Sequence, residues 1–354
     1  MNISLGTDIK PTLRLPAEWE PTEAVLVAWP PSQSDWAYML DDARRCIAEI
    51  IAAISRHAKV IVIGQELPAP DDIPEPCVRP NITLLDVPVN DTWTRDYGPI
   101  TVFGADGSAI LHDFKFNGWG LKFAADRDNL ATCGLFARGV FGGRRANRLG
   151  FVLEGGSIES DGQGTLLTTE ECLLSANRNG ELSKEEVEEY LKTTFGLHTV
   201  QWLGHGALEG DDTDGHVDTL ARLVPPGDVI VYTGCQDPDD IHFECLQAMR
   251  HDLEQLRTAD GRPYTLAELP LPDPIYDPDD GSRLPATYAN FLYLNGTVLL
   301  PVYGQPMKDL MAVQILEAVM PGYEIIPIDC RALIRQHGSL HCTTMQLPTL
   351  TATR

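Results

Sequence analysis

Four short segments set reactive side chains among glycines and prolines, where chains turn tightly. NDTWTRDYGP, from Asn90 to Pro99, packs Asp91, Arg95 and Asp96 beside Trp93 and Tyr97. FVLEGGS, from Phe151 to Ser157, runs an apolar stretch into Glu154 and then two glycines, which let another backbone or a ligand approach. GDDTDGHVDTLAR, from Gly210 to Arg222, carries His216 and Asp218 two residues apart, so on a strand they share a face. HGSLHCTTMQLP, from His337 to Pro348, sets Cys342 shortly after Gly338 and Ser339. Each segment has an ordinary alternative. Asp96 could pair with Arg95 at the surface, Glu154 could cap a turn, His216 could be a satisfied core histidine, and a lone cysteine is more often a small buried hydrophobe.

The combination favours chemistry. One Cys, one His and several carboxylates at strand ends suit covalent catalysis by a thiolate. Cysteine–histidine sites that attack acyl carbons need an oxyanion hole and have no use for several acids. Carboxylates fit an electrophile that is planar, cationic and rich in N–H donors. A guanidinium offers five such donors in a fixed fork. The whole chain agrees in sign: 354 residues carry 27 Lys+Arg against 51 Asp+Glu, a net charge of −24. That field repels nucleic acid and attracts cations, with on-rates raised roughly 10- to 10³-fold where a cleft focuses it. The reading is thiolate attack on a guanidinium carbon in a small cationic substrate.

Short strands alternating with amphipathic helices must position these groups. The Val/Ile/Leu-rich runs Ala24–Trp29, Lys59–Ile63, Ile82–Val87, Leu149–Leu153, Val229–Thr233 and Val298–Val302 predict strands. Helices are expected over Trp36–His57, Asp126–Val140, from Ser183 onward with Glu186 completing a capping box, over Pro238–Arg257 and over Met307–Met320. The junctions WPPSQSDW, YTGCQDPDDI and VYGQPMKDL resemble one another, a faint repeat of five strand-rich units each holding one helix. No composition break divides residues 1–354, which read as a single α/β domain. Pro270–Pro285 is the longest expected loop, either a solvated excursion or a lid.

Other chemistries lose support. There is no P-loop, no HExxH, and no GxGxxG opening a helix after a strand. GDDTDGHVD fails as a calcium loop, since Gly210 would fill the first ligand position and Ala221 the last. The eight cysteines are scattered without a CxxC. The start MNISLGTDIKPTLRLP lacks a basic stretch followed by an apolar one, and no apolar run approaches the ~20 residues of a membrane span. The expectation is a cytoplasmic protein with reduced thiols, no membrane partner and no nucleic-acid partner; a homo-oligomer is compatible. Two further classes stay open on the residues alone. One is a metal-dependent hydrolase using His216, Asp218 and Asp211 or Asp212; the other is a non-catalytic polyamine binder.

Taken in order, RLPAEWEPTEAVLVAWP (Arg14–Pro30), NDTWTRDYGP, FNGWG (Phe116–Gly120), LEGGS, DTDGHVDTLAR, YANFLYLNGTVLLPVYG (Tyr288–Gly304) and LHCTTMQLP resemble the agmatine deiminase and bacterial-type peptidyl-arginine deiminase family, within the guanidine-modifying pentein superfamily. The likeness covers most of the chain. It implies a five-bladed α/β propeller with a central active site, needing no metal and no organic cofactor. It implies Cys342 as nucleophile and His216 as general acid and base. Asp96 and Asp218 would hold the guanidinium nitrogens, Glu154 would orient His216 and touch substrate, and Trp93 and Trp119 would wall the pocket. The implied reaction converts agmatine to N-carbamoylputrescine and ammonia, a step toward putrescine, or citrullinates arginine in a peptide. One departure stands out: many members carry three or four glycines before the catalytic His-Cys, where this chain has Gln336-His337-Gly338-Ser339-Leu340.

Overall fold

The computed structural model describes residues 13–350. The first part of the N-terminal stretch read for a leader lies outside the described residues, as do 351–354. Short runs of Val, Ile and Leu, buried on both faces, form the central strands, and amphipathic helices cover them. The fold is α/β, with five separate sheets of three or four strands.

One pattern recurs in every sheet. A strand pairs antiparallel with the next, which passes through a long helix into a parallel partner. Thr22–Ala28 leads through α1 (Leu40–Ser55) to Lys59–Gly64, and Ala109–Lys115 through α2 (Asp128–Ala137) to Arg144–Val152. Thr165–Thr169 leads through α3 (Lys184–Phe195) to Thr199–Leu203, and Val229–Gly234 through α4 (Phe243–Gln255) to Thr265–Pro270. Thr297–Val302 leads through α5 (Pro306–Val319) to Glu324–Asp329. Parallel partners need such crossovers, and a helix is the compact way to make one. The strand antiparallel to each lead strand is Thr344–Pro348, Ile100–Gly104, Ile158–Ser160, Ala221–Val224 or Leu292–Leu294.

All five expected helices form. α1 buries Ala43, Ile47, Ile50, Ile51 and Ile54. The Ser183 capping box starts α3, with the Glu186 N–H on Ser183 Oγ at 3.3 Å and the Ser183 N–H on Glu186 Oε2 at 2.8 Å. α4 begins later than Pro238, because Asp237 and Asp240 accept the N–H groups of Asp239 and His242 and turn the chain there. The strand expected at Leu149–Leu153 starts instead at Arg144; its arginines hide the run, and Arg145 pairs with Asp113 across the sheet at 2.5 Å. The long loop after Thr265–Pro270 packs against the segment before Cys342. Asp277 and Asp279 bind Arg335 at 2.9 and 2.5 Å, bracing the turn before the nucleophile from outside, and residues 271–285 do not line the cleft at Cys342. Among the described residues no helix is long and apolar enough to cross a membrane.

Candidate active site

Each sheet contributes one segment to a common centre, always within five residues of its antiparallel inner strand. The helical turn Thr94–Tyr97 carries Asp96 ahead of Ile100–Gly104. Glu154 enters the turn Gly155–Ser157 ahead of Ile158–Ser160. His216 caps the turn Val217–Thr219, which carries Asp218 ahead of Ala221–Val224. Asn290 precedes Leu292–Leu294, and Cys342 precedes Thr344–Pro348. His216 and Asp218 are therefore not strand neighbours. Asp211 bends the loop by accepting the N–H groups of Thr213 and Gly215 at 3.0 and 2.8 Å, and the tight turn brings both side chains to one place.

Gly156 marks that place. A Cβ there would stand 2.6 Å from His216 Nδ1 and 3.0 Å from both Asp218 Oδ2 and Asp96 Oδ1. Cys342 Sγ lies 3.8 Å from Asp218 Oδ2. His216 Nδ1 is 3.7 Å from Asp96 and its Nε2 3.8 Å from Glu154. All of these side chains are buried. Both nitrogens of His216 and the Oδ1 of Asp218 have no hydrogen-bond partner. Buried polar atoms are normally paired, so these open valences mark where a ligand's polar atoms belong. Asp96 does not pair with Arg95, whose guanidinium turns away to Glu18 at 2.8 Å.

Two tryptophans wall the entrance. Trp119 donates its Nε1–H to Asp96 Oδ2 at 2.9 Å. Its backbone is left-handed, φ +53°, a strained conformation held by the Gly120 N–H on Asn117 Oδ1 at 3.0 Å. Gly118 and Gly120 on either side are left-handed as well, φ +67° and +84°, which is why FNGWG needs its glycines. Trp93 lies against Gly338, where a Cβ would come within 2.7 Å of Trp93 Cη2. The one glycine kept before the nucleophile thus sits where a side chain would collide with the indole. The narrow cleft is lined by Trp93, Trp119 and Phe123 together with Asp91, Asp96, Asp212 and His337; no Lys or Arg lines it.

The electrostatics follow from burial and crowding of like charge. Burial, then Asp218 and Asp96, raise the Cys342 thiol well above its ordinary range, against donors from the Ser339 backbone and Asn290. Burial pushes Asp96 up to about 6; His216 opposes this, whereas Asp218 and Glu154 add to it. His216 is raised well above 6.5 although burial opposes its charge, because Asp96, Cys172 and Glu154 favour the imidazolium. Glu154 is pushed up by burial but held low overall by His216 and Arg178.

Several supporting groups escape the sequence reading. Asn290 donates from Nδ2 to Cys342 Sγ at 3.3 Å. Arg178 holds both Glu154 oxygens from Nε at 2.9 and 3.0 Å and reaches Asp214 at 2.5 Å, tying the Glu154 segment to the His216 loop. Arg222, fully buried, binds Glu159 at 2.8 Å, Glu18 at 2.6 Å and the carbonyls of Ala289 and Phe291. Aligning the five units on their inner strands would have picked out Asn290. Arg178 carries no comparable signal, being a single basic residue on the four-residue helix Ala176–Asn179.

Among the described residues, one group of metal-ligating type is compact enough for an ion: Glu154, Cys172 and His216, with ligand atoms within 4.8 Å of one another. The Arg178 guanidinium already occupies both Glu154 oxygens, so a cation stands there and the set does not fit a second. The hydrolase alternative of His216 and Asp218 with Asp211 or Asp212 does not form such a compact group among the described residues.

In this α/β fold a buried Cys, a His and three acids converge on one centre. The chain belongs to the Porphyromonas-type peptidyl-arginine deiminase family, whose profile it matches over residues 14–348. It is 36% identical over 362 residues to the agmatine deiminase of Pseudomonas aeruginosa strain LESB58, covering 95% of each chain. Agmatine deiminase from C. jejuni, solved as a Cys-to-Ser variant with substrate bound, is 34% identical and superposes with a TM-score of 0.84, over 94% of this chain and 96% of that one. A Porphyromonas gingivalis structure described provisionally as an arginine deiminase is 48% identical with a TM-score of 0.89, over 95% and 98%.

Proposed function

We propose that this chain is an agmatine deiminase, hydrolysing agmatine to N-carbamoylputrescine and ammonia through a covalent thiouronium on Cys342. The observation that carries the choice of substrate is the acid-lined cleft at Cys342, which presents Asp91, Asp96 and Asp212 and no Lys or Arg. Agmatine is cationic at both ends and suits it. Free arginine would bring a carboxylate toward Asp91 and Asp212, with His337 the single group of basic type on the lining.

The guanidinium lies between Asp96 and Asp218, the open Oδ1 of Asp218 accepting one of its N–H groups. Its charge offsets the two acids that hold the thiol protonated, so binding itself favours the thiolate, the thiol proton passing to solvent. Sulfur attacks the guanidinium carbon, forming the C–S bond while the C=N electron pair moves to nitrogen. His216, an imidazolium, protonates the leaving nitrogen; the C–N bond breaks and ammonia departs. The neutral imidazole then takes a proton from water as it attacks the same carbon. Collapse expels the Cys342 thiolate as the hydroxyl proton passes to solvent, and leaves the urea. Glu154 steadies His216 through both protonation states, and Trp93 and Trp119 flank the substrate.

We infer also that the five sheets are the blades of an α/β propeller around this centre, and that residues 1–354 form one such domain. The repeated strand order and the single site segment from each sheet support this.

The test is an ammonia assay on agmatine, free arginine and an arginine-containing peptide. Agmatine should be turned over best, and Cys342→Ala should abolish release while the protein stays folded. Turnover retained by Cys342→Ala ends the mechanism; a preference for arginine or the peptide ends the substrate assignment.

A further inference from the structure

His341 precedes the nucleophile, and its ring is fully buried among charges. Nδ1 lies 2.7 Å from Asp218 Oδ2. Nε2 lies 3.0 and 2.8 Å from the two Glu18 oxygens and 3.3 Å from Arg222 Nη2. Nδ1 thus faces an acceptor, whereas Nε2 faces acceptors and a donor. Carboxylate oxygens stand at both ring nitrogens, so a ring that donates to Asp218 from Nδ1 and to Glu18 from Nε2 carries both protons, whereas a neutral ring with its proton on Nδ1 accepts from Arg222 at Nε2. In either state Nδ1–H donates to Asp218.

Glu18 is fixed in turn, by Arg95 at 2.8 Å and Arg222 at 2.6 Å. The line Glu18–His341–Asp218 therefore ends on a rigid frame. A carboxylate can turn about its Cβ–Cγ bond. Pinning Oδ2 sets the direction of Oδ1, which is buried and has no partner of its own.

Resting on the deiminase reading, we infer that His341, anchored by Glu18, is a positioning residue that locks the Asp218 carboxylate so that Oδ1 faces the guanidinium. It touches no reacting atom; it orients the group that does. Orientation matters at this scale because small misplacements at a reacting centre cost about 10²-fold in rate.

Two substitutions separate this role from a structural one. The amide nitrogen of Asn occupies the place of Nδ1, and that of Gln the place of Nε2. His341→Asn keeps a donor for Asp218 and releases Glu18; His341→Gln does the reverse. Ammonia release from agmatine should stay within about tenfold of wild type in His341→Asn and fall about 10²- to 10³-fold in His341→Gln. The loss should lie in kcat more than in KM, because Asp96 still binds the cation. Melting temperatures should drop about equally, each variant losing one bond of the same network. Equal activities in the two variants, or activity that follows melting temperature, overturn the inference. Should either variant fail to fold, Glu18→Gln probes the line from its far end. It weakens the anchor while keeping an acceptor, and about a tenfold loss in kcat at unchanged KM is expected; an unchanged kcat overturns the role. Wild-type protein that releases no ammonia from agmatine would sink the deiminase reading and this inference with it. Wild-type turnover with Asn and Gln variants alike sinks this inference alone.

Discussion

Asn290 grips the nucleophile from two sides. Its Oδ1 accepts the backbone N–H groups of His341 and Cys342 at 2.9 and 3.3 Å, and its Nδ2 stands 3.3 Å from Cys342 Sγ. Arg222 holds the carbonyls on either side, Ala289 and Phe291, at 3.1 and 2.7 Å. One amide therefore fixes the turn that presents the sulfur and offers the sulfur a donor.

Replacing that donor with a charge should disable the thiol. Asn290→Asp puts a third carboxylate beside a group that Asp218 and Asp96 already raise. Alkylation of Cys342 by iodoacetamide should then need a higher pH than in wild type, and kcat should fall by about 10² or more. An unchanged alkylation profile would remove Asn290 from the electrostatics of the sulfur.

Asp218→Asn should separate activity from stability. The amide oxygen can still accept from His341 Nδ1, but the open Oδ1 becomes an N–H pair that repels a guanidinium. Turnover of agmatine should drop roughly 10²- to 10³-fold while stability moves by about 1 kcal/mol or less. Wild-type rates in this variant would exclude Asp218 from substrate binding.

Gly156→Ala should empty the centre of function without replacing a reactive group. The new methyl would sit 2.6 Å from His216 Nδ1 and 3.0 Å from two carboxylate oxygens. Its neighbours must move, and a shift of about 1 Å at such a centre costs on the order of 10² in rate. Kinetics of the purified variant beside its circular dichroism spectrum would check this; full activity would mean that the backbone moves aside instead.

The gathering of Asp96, Glu154, His216 and Cys342 was legible because each lies within four residues of a glycine at a chain turn. The five long helices were legible from their apolar periodicity. The inner strands were not: Ile158–Ser160 and Leu292–Leu294 are three residues long, too short for any period to register. The supporting charges Glu18, Arg178 and Arg222 were invisible for another reason. Glu18 and Arg222 are 204 positions apart in the chain, and only the closed fold makes them partners. Cys172, beside Glu154 at 3.9 Å, was likewise one of eight scattered thiols until the fold placed it.

Acid should silence the enzyme before it unfolds it. Asp96, pushed up to about 6, must be ionised to hold the guanidinium. Below that pH the free enzyme carries a proton there, so kcat/KM should fall about tenfold per pH unit. A bound cation favours the carboxylate, so the acid limb of kcat should lie at lower pH than that of kcat/KM. Rate profiles from pH 4.5 to 8 measure both limbs. A kcat/KM that is flat between pH 5 and 7, or limbs that coincide, would contradict this assignment.

Asp128 offers a stability counterpart away from the reacting atoms. Burial pushes its carboxyl up to about 8, Asp91 and Asp126 adding to the effect against the N–H groups of Asn90 and Asp91. Asp128 Oδ1 accepts the Asn90 N–H at 2.6 Å, and Asn90 Oδ1 accepts the Asp128 N–H at 3.2 Å, clamping the segment that leads to Asp96. An unfolded Asp loses its proton near pH 3.9, roughly. Between that pH and 8 the folded chain holds a proton the unfolded chain has released, so this residue's contribution to stability falls as pH rises through the window and levels off above it. Asp128→Asn keeps an oxygen for Asn90 and has no charge to bury. Its melting temperature should exceed that of wild type at pH 8 by several degrees, with a smaller gap at pH 5. Scanning calorimetry of both proteins at the two pH values decides the matter: a gap that does not widen with pH would show that Asp128 is ionised in the folded protein.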